Sequence, residues 1–259
     1  MTQIGRIYLL VILFFLYTPI LVMMAMGFNE SQLYELPFSF STRWYVALMD
    51  NQQLLKAGMN SIIIALITAA IATCLGTMAS IALSRRTFRG KSLLQLLLLP
   101  PIAIPWLITG TAMLVFFYWS GIGRGMHALL IGHVALAIPY VVLVVGTGFN
   151  TIRADLEEAA MSLGSTPIHA FFAVTLPLLF PSILGAALFA FAVSLDQFVI
   201  SYFLATPGYS TLPVQIYSAI RKGFTPEINA ISTLLLLGSM AAILIFARFA
   251  KPGDVSDKR

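Results

Sequence analysis

Apolar runs of about 20 residues recur along the whole chain, and few folds can accommodate them. As a helix rising about 1.5 Å per residue, such a run crosses ~30 Å of hydrocarbon. Inside lipid every backbone donor and acceptor needs a partner within the protein, so each run must be helical or close to it. Six spans are predicted, near 7–28, 57–83, 92–119, 127–148, 176–204 and 228–250. The fold class expected is all-α: a polytopic membrane protein whose residues 1–259 form a single domain. A mean hydropathy of +0.92 supports this, being well beyond that of soluble domains. The run after "MTQIGR" is too long for the apolar region of a signal peptide and lacks a small-x-small cleavage site, so it reads as an uncleaved first span.

The cations then orient the spans. With the N-terminus inside, ten fall on the inner side: Arg6, Arg85, Arg86, Arg89, Lys91, Arg153, Arg248, Lys251, Lys258 and Arg259. Five fall outside: Arg43, Lys56, Arg124, Arg221 and Lys222. The positive-inside rule therefore predicts both termini in the cytoplasm. Because the basic residues sit in short loops between apolar runs, the net charge of +5 does not argue for nucleic acid. Cys74 has no second cysteine to pair with and is expected to be a small core residue.

Chemistry-bearing motifs are scarce. "RGKS" (89–92) resembles the end of a phosphate-binding loop, but that pattern needs a glycine where Arg85 stands. No ATP site is therefore visible in the chain. His127, His133 and His169 have no metal-ligand spacing and read as structural histidines. Neither a metal nor a catalytic residue is expected.

Within the spans two features stand out. Asp196, beside Gln197, is the only acid in a predicted span, and a carboxylate in hydrocarbon is costly enough to need a partner or water. On a continuous helix it lies about 28 Å beyond Pro177, in the outer half of the membrane. It is assigned with Gln197 to a candidate substrate path, the plainer alternative being a solvated or capping side chain. Pro100, Pro101 and Pro105 in the third span each remove a backbone donor, so that helix is kinked or broken, either as at many transport sites or as a kink satisfied by neighbouring helices. Trp106 and Tyr140 are assigned to the same path, although interface anchoring or packing is their ordinary role. Between 205 and 227, "LPVQIYSAI" has the makings of a short amphipathic helix.

The segment "DLEEAAMSLGSTP" (155–167) is unlike its surroundings, with three of the ten acids within four positions. Asp155, Glu157 and Glu158 suit the first turn of a helix, where the dipole favours anions. Leu156, Ala160 and Leu163 share one face. Gly164 supplies a stop, and Ser165–Thr166–Pro167 a new start. The product is a helix–glycine turn–helix in the cytoplasmic loop 149–175, suited to docking in a groove on another protein.

"EAA" (158–160), three residues, Gly164, nine residues and "VTLP" (174–177) together resemble the signature of membrane subunits of binding-protein-dependent ABC importers. With six spans, the resemblance extends over nearly the whole chain and implies the type I importer permease (MetI-like) fold. In that family the segment is a coupling helix seated on the ATPase, so Glu157, Glu158, Ala159, Ala160, Leu163 and Gly164 are assigned to ATPase coupling. The resemblance also implies absent partners: two ABC ATPase subunits that bind ATP and Mg, a second permease subunit (a paralogue), and an extracytoplasmic solute-binding protein. It places the chain in a bacterial inner membrane, in contact with lipid and not with nucleic acid. "RWYVALMDN" (43–51), "RTFRGK" (86–91), "SLDQFVIS" (194–201) and "LPVQIYSAIRKGFTPEINA" (212–230) are most similar to the C-type permeases of spermidine/putrescine importers. Two positions depart from that group: Gln197 follows Asp196 where the group carries a second acid, and Ile102 follows Pro101 where it carries an acid. A polyamine-like amine is the implied solute. An opine, an aminophosphonate or another small solute is the alternative within the architecture, and a stand-alone membrane enzyme or channel the alternative outside it.

Overall fold

The computed structural model describes residues 3–32, 35–98, 100–153, 155–223 and 225–249. Lys251, Lys258 and Arg259, three of the cations counted on the inner side, lie outside the described residues. The described residues are mostly helical, with a lone bridge between Asn29 and Phe40 and no strand. They group into two compact units, Met1–Met59 with Val214–Met240 and Asn60–Pro213 with Ala241–Arg259.

The first unit begins with helix α1 (Gln3–Met26), whose apolar surface is largely exposed, as a lipid-facing span requires. Helix α2 (Arg43–Asp50), which hydropathy did not predict, buries Trp44 and Leu48. The Trp44 indole donates to the Asn29 carbonyl at 2.7 Å, so this aromatic packs rather than anchoring at an interface. The unit also holds the first turns of α3 (Gln52–Arg85) and most of α12 (Leu212–Lys222) and α13 (Glu227–Phe249). Helix α12 covers the "LPVQIYSAI" segment, as its pattern predicts.

The second unit is built around α7 (Met126–Thr151), which packs against α10 (Leu176–Leu195) and α3. Small residues make this packing possible. Ala69, Ala72, Ala137, Ala186 and Ala190 are buried in its core with Val141, Val145 and Leu179. At Gly148 a Cβ would run into Ser182, so α7 and α10 approach there only because the side chain is missing. Cys74 is exposed on α3, contrary to the core position expected. In a helix apolar on every side, hydropathy does not say which face turns outward.

Among the described residues, four helical stretches are long and apolar enough to span: Gly5–Met26, Gln52–Arg85, Met126–Thr151 and Pro167–Leu195. The third predicted span is divided into α4 (Lys91–Leu97), α5 (Pro100–Ala103) and α6 (Trp106–Trp119), with a bend of 109° between Lys91–Ala103 and Trp106–Trp119. Three prolines over six positions account for it. The fifth span departs from prediction at both ends. It begins earlier, with α9 (Pro167–Ala170) and a π turn (Phe171–Thr175), and stops at Leu195. A separate helix, α11 (Phe198–Leu204), follows the break. The region 176–204 is therefore not one continuous helix.

Candidate functional site

Two constellations stand out, one in the loop after α7 and one at the break before α11. In the first, Asp155–Ser162 forms helix α8, with Asp155, Glu157 and Glu158 in its first turn. Gly164 ends it with φ of +97°, in the left-handed region that glycine adopts without strain. The Ser165 amide donates to the Ala160 carbonyl at 3.1 Å and the Gly164 amide to Met161 at 3.0 Å, which together make a Schellman cap. Thr166 then caps α9, its hydroxyl accepting from the His169 amide at 3.3 Å, with Pro167 in the first turn.

This element is tied down on one side. Glu157 forms an ion pair with Arg85, the last residue of α3. The same guanidinium donates to the Thr175 hydroxyl at 3.2 Å and lies over the rings of Phe171 and Phe149, at 5.0 and 5.4 Å. Arg85 thus gathers α8, the π turn and the end of α7 around the end of α3. Burial alone would raise the Glu157 carboxyl. Hydrogen bonds from Arg85 and Thr175, with the Arg85 charge, outweigh it and hold the carboxyl below the usual glutamate range. Asp155 is similarly lowered, chiefly by its hydrogen bond from Arg153, but that pair lies open to water.

On the other side α8 is bare. Leu163 is 90% exposed and Ile168 is 73% exposed, with Leu156 and Met161 also open. Ala159 and Ala160 leave the surface between them shallow, and Glu158 is exposed. Exposed apolar side chains on a polar loop element make the kind of surface that a protein partner covers.

At the second constellation, Asp196 is the C-terminal cap residue of α10 and exposed, at the end of a helix where a continuous one was expected. Gln197 points the other way. It is 1% exposed, and its Oε1 accepts from the Ile200 amide at 3.4 Å to start α11. His133, from the first third of α7, closes the break: Nδ1 lies 2.8 Å from the Ser194 hydroxyl and Nε2 lies 3.0 Å from the Ser201 hydroxyl. One ring therefore holds the end of α10 and the body of α11 against α7. Tyr140 packs against Phe189, the rings tilted by 49° with centroids 5.2 Å apart, and Trp106 opens α6 just beyond the proline bend, 37% exposed. Among the described residues no hydrogen bond or ring contact joins Trp106, Tyr140 and Asp196 to one another.

Arg85 is the residue that sequence reasoning passed over, and His133, read as structural, is so through partners that reasoning did not name. Arg85 counted only as one charge of a basic loop, and its partner lies 72 positions away. His133 had a weak signal, a lone polar ring in an apolar run, with nothing to point to its serines.

The comparisons with known proteins agree with this architecture. Residues 72–251 match the family of binding-protein-dependent transport system inner membrane components. The chain belongs to this family. Among its relatives, the putrescine transport system permease protein PotI of Escherichia coli K12 is 38% identical over 230 residues, covering 86% of this chain and 82% of the relative. The spermidine/putrescine transport system permease protein PotC of the same strain is 32% identical over 262 residues, covering 98% and 99%. A bacterial ABC transporter involved in the import of the polysaccharide alginate shares the fold at a TM-score of 0.74, with 16% identity and 96% of each chain covered. The MetNI methionine ABC transporter does so at 0.65, with 18% identity, over 78% of this permease and 96% of that chain. The all-α, MetI-like fold inferred from the sequence is the fold observed, and this permease is a transport subunit of the inner-membrane family.

Proposed function

We propose that residues 1–259 act as one permease domain that imports a polyamine-like organic amine, driven by ATP hydrolysed on partner subunits. The observation that carries this reading is the α8–Gly164–α9 element. It presents Leu163, Ile168, Leu156 and Met161 outward while Glu157 fastens it to Arg85. An apolar tip on a polar loop needs a groove to enter, and a fastened base lets movement of the tip reach α3 and α7. The tip seats on one of two ABC ATPases, which hold ATP and Mg, since no phosphate-binding loop is present in the sequence. A second permease subunit, a paralogue, completes the pathway, and an extracytoplasmic binding protein delivers the solute. Both termini and the 149–175 loop face the cytoplasm, as the cation distribution requires. Closure of the ATPase pair moves α8 and α9, the π turn passes the motion into α10, and the break at Asp196–Gln197 opens or closes the outer end.

The polyamine assignment is supported by the names of PotI and PotC, which pair with this chain over most of its length. Asp196 supplies the carboxylate that meets the amine. A different small solute on the same architecture is favoured by one observation: Gln197 turns inward to cap α11, which leaves Asp196 as the only acid at this break. Uptake of radiolabelled putrescine by cells producing the complete importer tests the reading, with an opine and an aminophosphonate as competitors. Wild-type uptake abolished by Glu158→Lys or Gly164→Pro supports it. Normal transport by both variants sinks the coupling assignment, and preferential uptake of a competitor overturns the solute.

A further inference from the structure

We infer that the cavity between α3, α4–α5 and α7 is a binding site for an anionic phospholipid of the cytoplasmic leaflet. The leaflet rests on the orientation proposed above. The cavity has a volume of about 640 Å³ and lies wholly within the second unit.

Its lining is graded along two of its walls. From Lys91 the α4–α5 wall runs through Ser92 and Gln95 to Leu96, Leu98 and Ile102. The α7 wall runs from Asn150 and Thr147 at the helix end to Leu143 and Val142 further in. Each begins polar at the basic loop and becomes apolar within two turns. A free anion has no use for the apolar part, and a plain hydrocarbon chain has none for the polar part. A phosphate headgroup joined to an acyl chain uses both.

Charge and hydrogen-bonding capacity agree. The lining contains one cation, Lys91, and no acid, so a cationic amine on its way through the permease is the wrong guest. Arg86 and Arg89 stand exposed in the adjoining loop and add to the positive potential at the mouth. On α3, Ser80 is 1% exposed and lines the cavity, and its hydroxyl has no hydrogen-bond partner among the described residues. At the polar end Ser92, Gln95, Thr147 and Asn150 supply hydrogen-bonding side chains, where the phosphate and ester oxygens of a lipid would sit.

The test is native mass spectrometry of the full chain, purified in detergent with its ATPase, after addition of phosphatidylglycerol or phosphatidylcholine. Retention of phosphatidylglycerol in clear excess is expected. Lys91→Gln should weaken that retention about fivefold, and Ser80→Leu, which fills the inner end, should lower it without a change of charge. Equal retention of both lipids overturns the site, as does phosphatidylglycerol retention that neither variant changes. Displacement of the lipid by millimolar inorganic phosphate would make it a free-anion site and overturn it equally. Retention does not depend on which solute is carried, so failure of the polyamine reading leaves this assay untouched. Thiol labelling of Arg89→Cys from the cytoplasmic side is expected; labelling from outside overturns the leaflet and the orientation together.

Discussion

Arg85 and Glu157 form an ion pair across 72 positions of sequence, joining the end of one membrane span to the helix that carries the permease's exposed apolar tip. Both side chains are partly buried, 28% and 21% exposed, and the guanidinium is already fixed by Thr175 and two aromatic rings. The pair therefore adds little freedom to α8 relative to α3.

Breaking it should loosen coupling more than it harms folding. A partly exposed pair of this kind contributes up to about 1 kcal/mol. Arg85→Gln and Glu157→Gln should thus leave the thermal midpoint of the purified complex nearly unchanged while solute-stimulated ATPase activity falls severalfold. If stimulation survives both substitutions, the pair carries no force.

The pair also predicts a pH dependence. Because the Glu157 carboxyl sits below the ordinary range when folded, its contribution is complete above the unfolded-state value, about 4.3. It declines as pH falls below that value toward the folded one. Between pH 8 and pH 5 the wild-type and Glu157→Gln complexes should therefore show parallel stability. Below about pH 4.3 the wild type should lose its advantage. A gap that widens on acidification would contradict the assignment.

At the tip, Leu163 is almost fully exposed and Gly164 has an open, left-handed backbone. Leu163→Asp should abolish co-purification of the ATPase and leave membrane insertion intact, since nothing within the chain depends on that side chain. Gly164→Ala should cost about 1 kcal/mol in the cap and weaken the same association. Undiminished ATPase recovery with Leu163→Asp would remove the tip from the interface.

Where α7 crosses α10, Gly148→Val should destabilise the chain by about 1–3 kcal/mol, because the new side chain occupies the place of Ser182. Loss of thermal stability, with partial recovery in Gly148→Val/Ser182→Gly, would locate the effect at this contact. A second site with the opposite balance is His133. His133→Phe keeps bulk but strands two serines, at a cost of about 1 kcal/mol, and should impair uptake beyond that cost by releasing α11 from α7. Wild-type uptake would reduce the imidazole to packing.

The long apolar helices α1, α3 and α7 were legible because hydrocarbon thickness fixes the length of such a run, and the 155–167 element because acids, glycine and proline each mark a helix boundary. The proline bend was equally visible. The break at Asp196–Gln197 was not, since "SLDQFVIS" contains neither proline nor glycine. It depends on a side-chain cap by Gln197 and on a histidine from another helix, both tertiary facts. Facing was illegible for a related reason: lipid and core both accept apolar residues, so Cys74 was assigned inward and lies outward.

The bare tip of α8 also bears on the life of the subunit before assembly. Leu163 and Ile168 stand exposed, and on the proposed coupling role only the ATPase would cover them, so a permease made in excess would display the exposed apolar chain that proteases and chaperones select. The loop proposed to receive force in the finished importer would then also keep account of stoichiometry in the cell. Its half-life should lengthen when the ATPase is co-produced and stop responding once Leu163 is replaced by Asp.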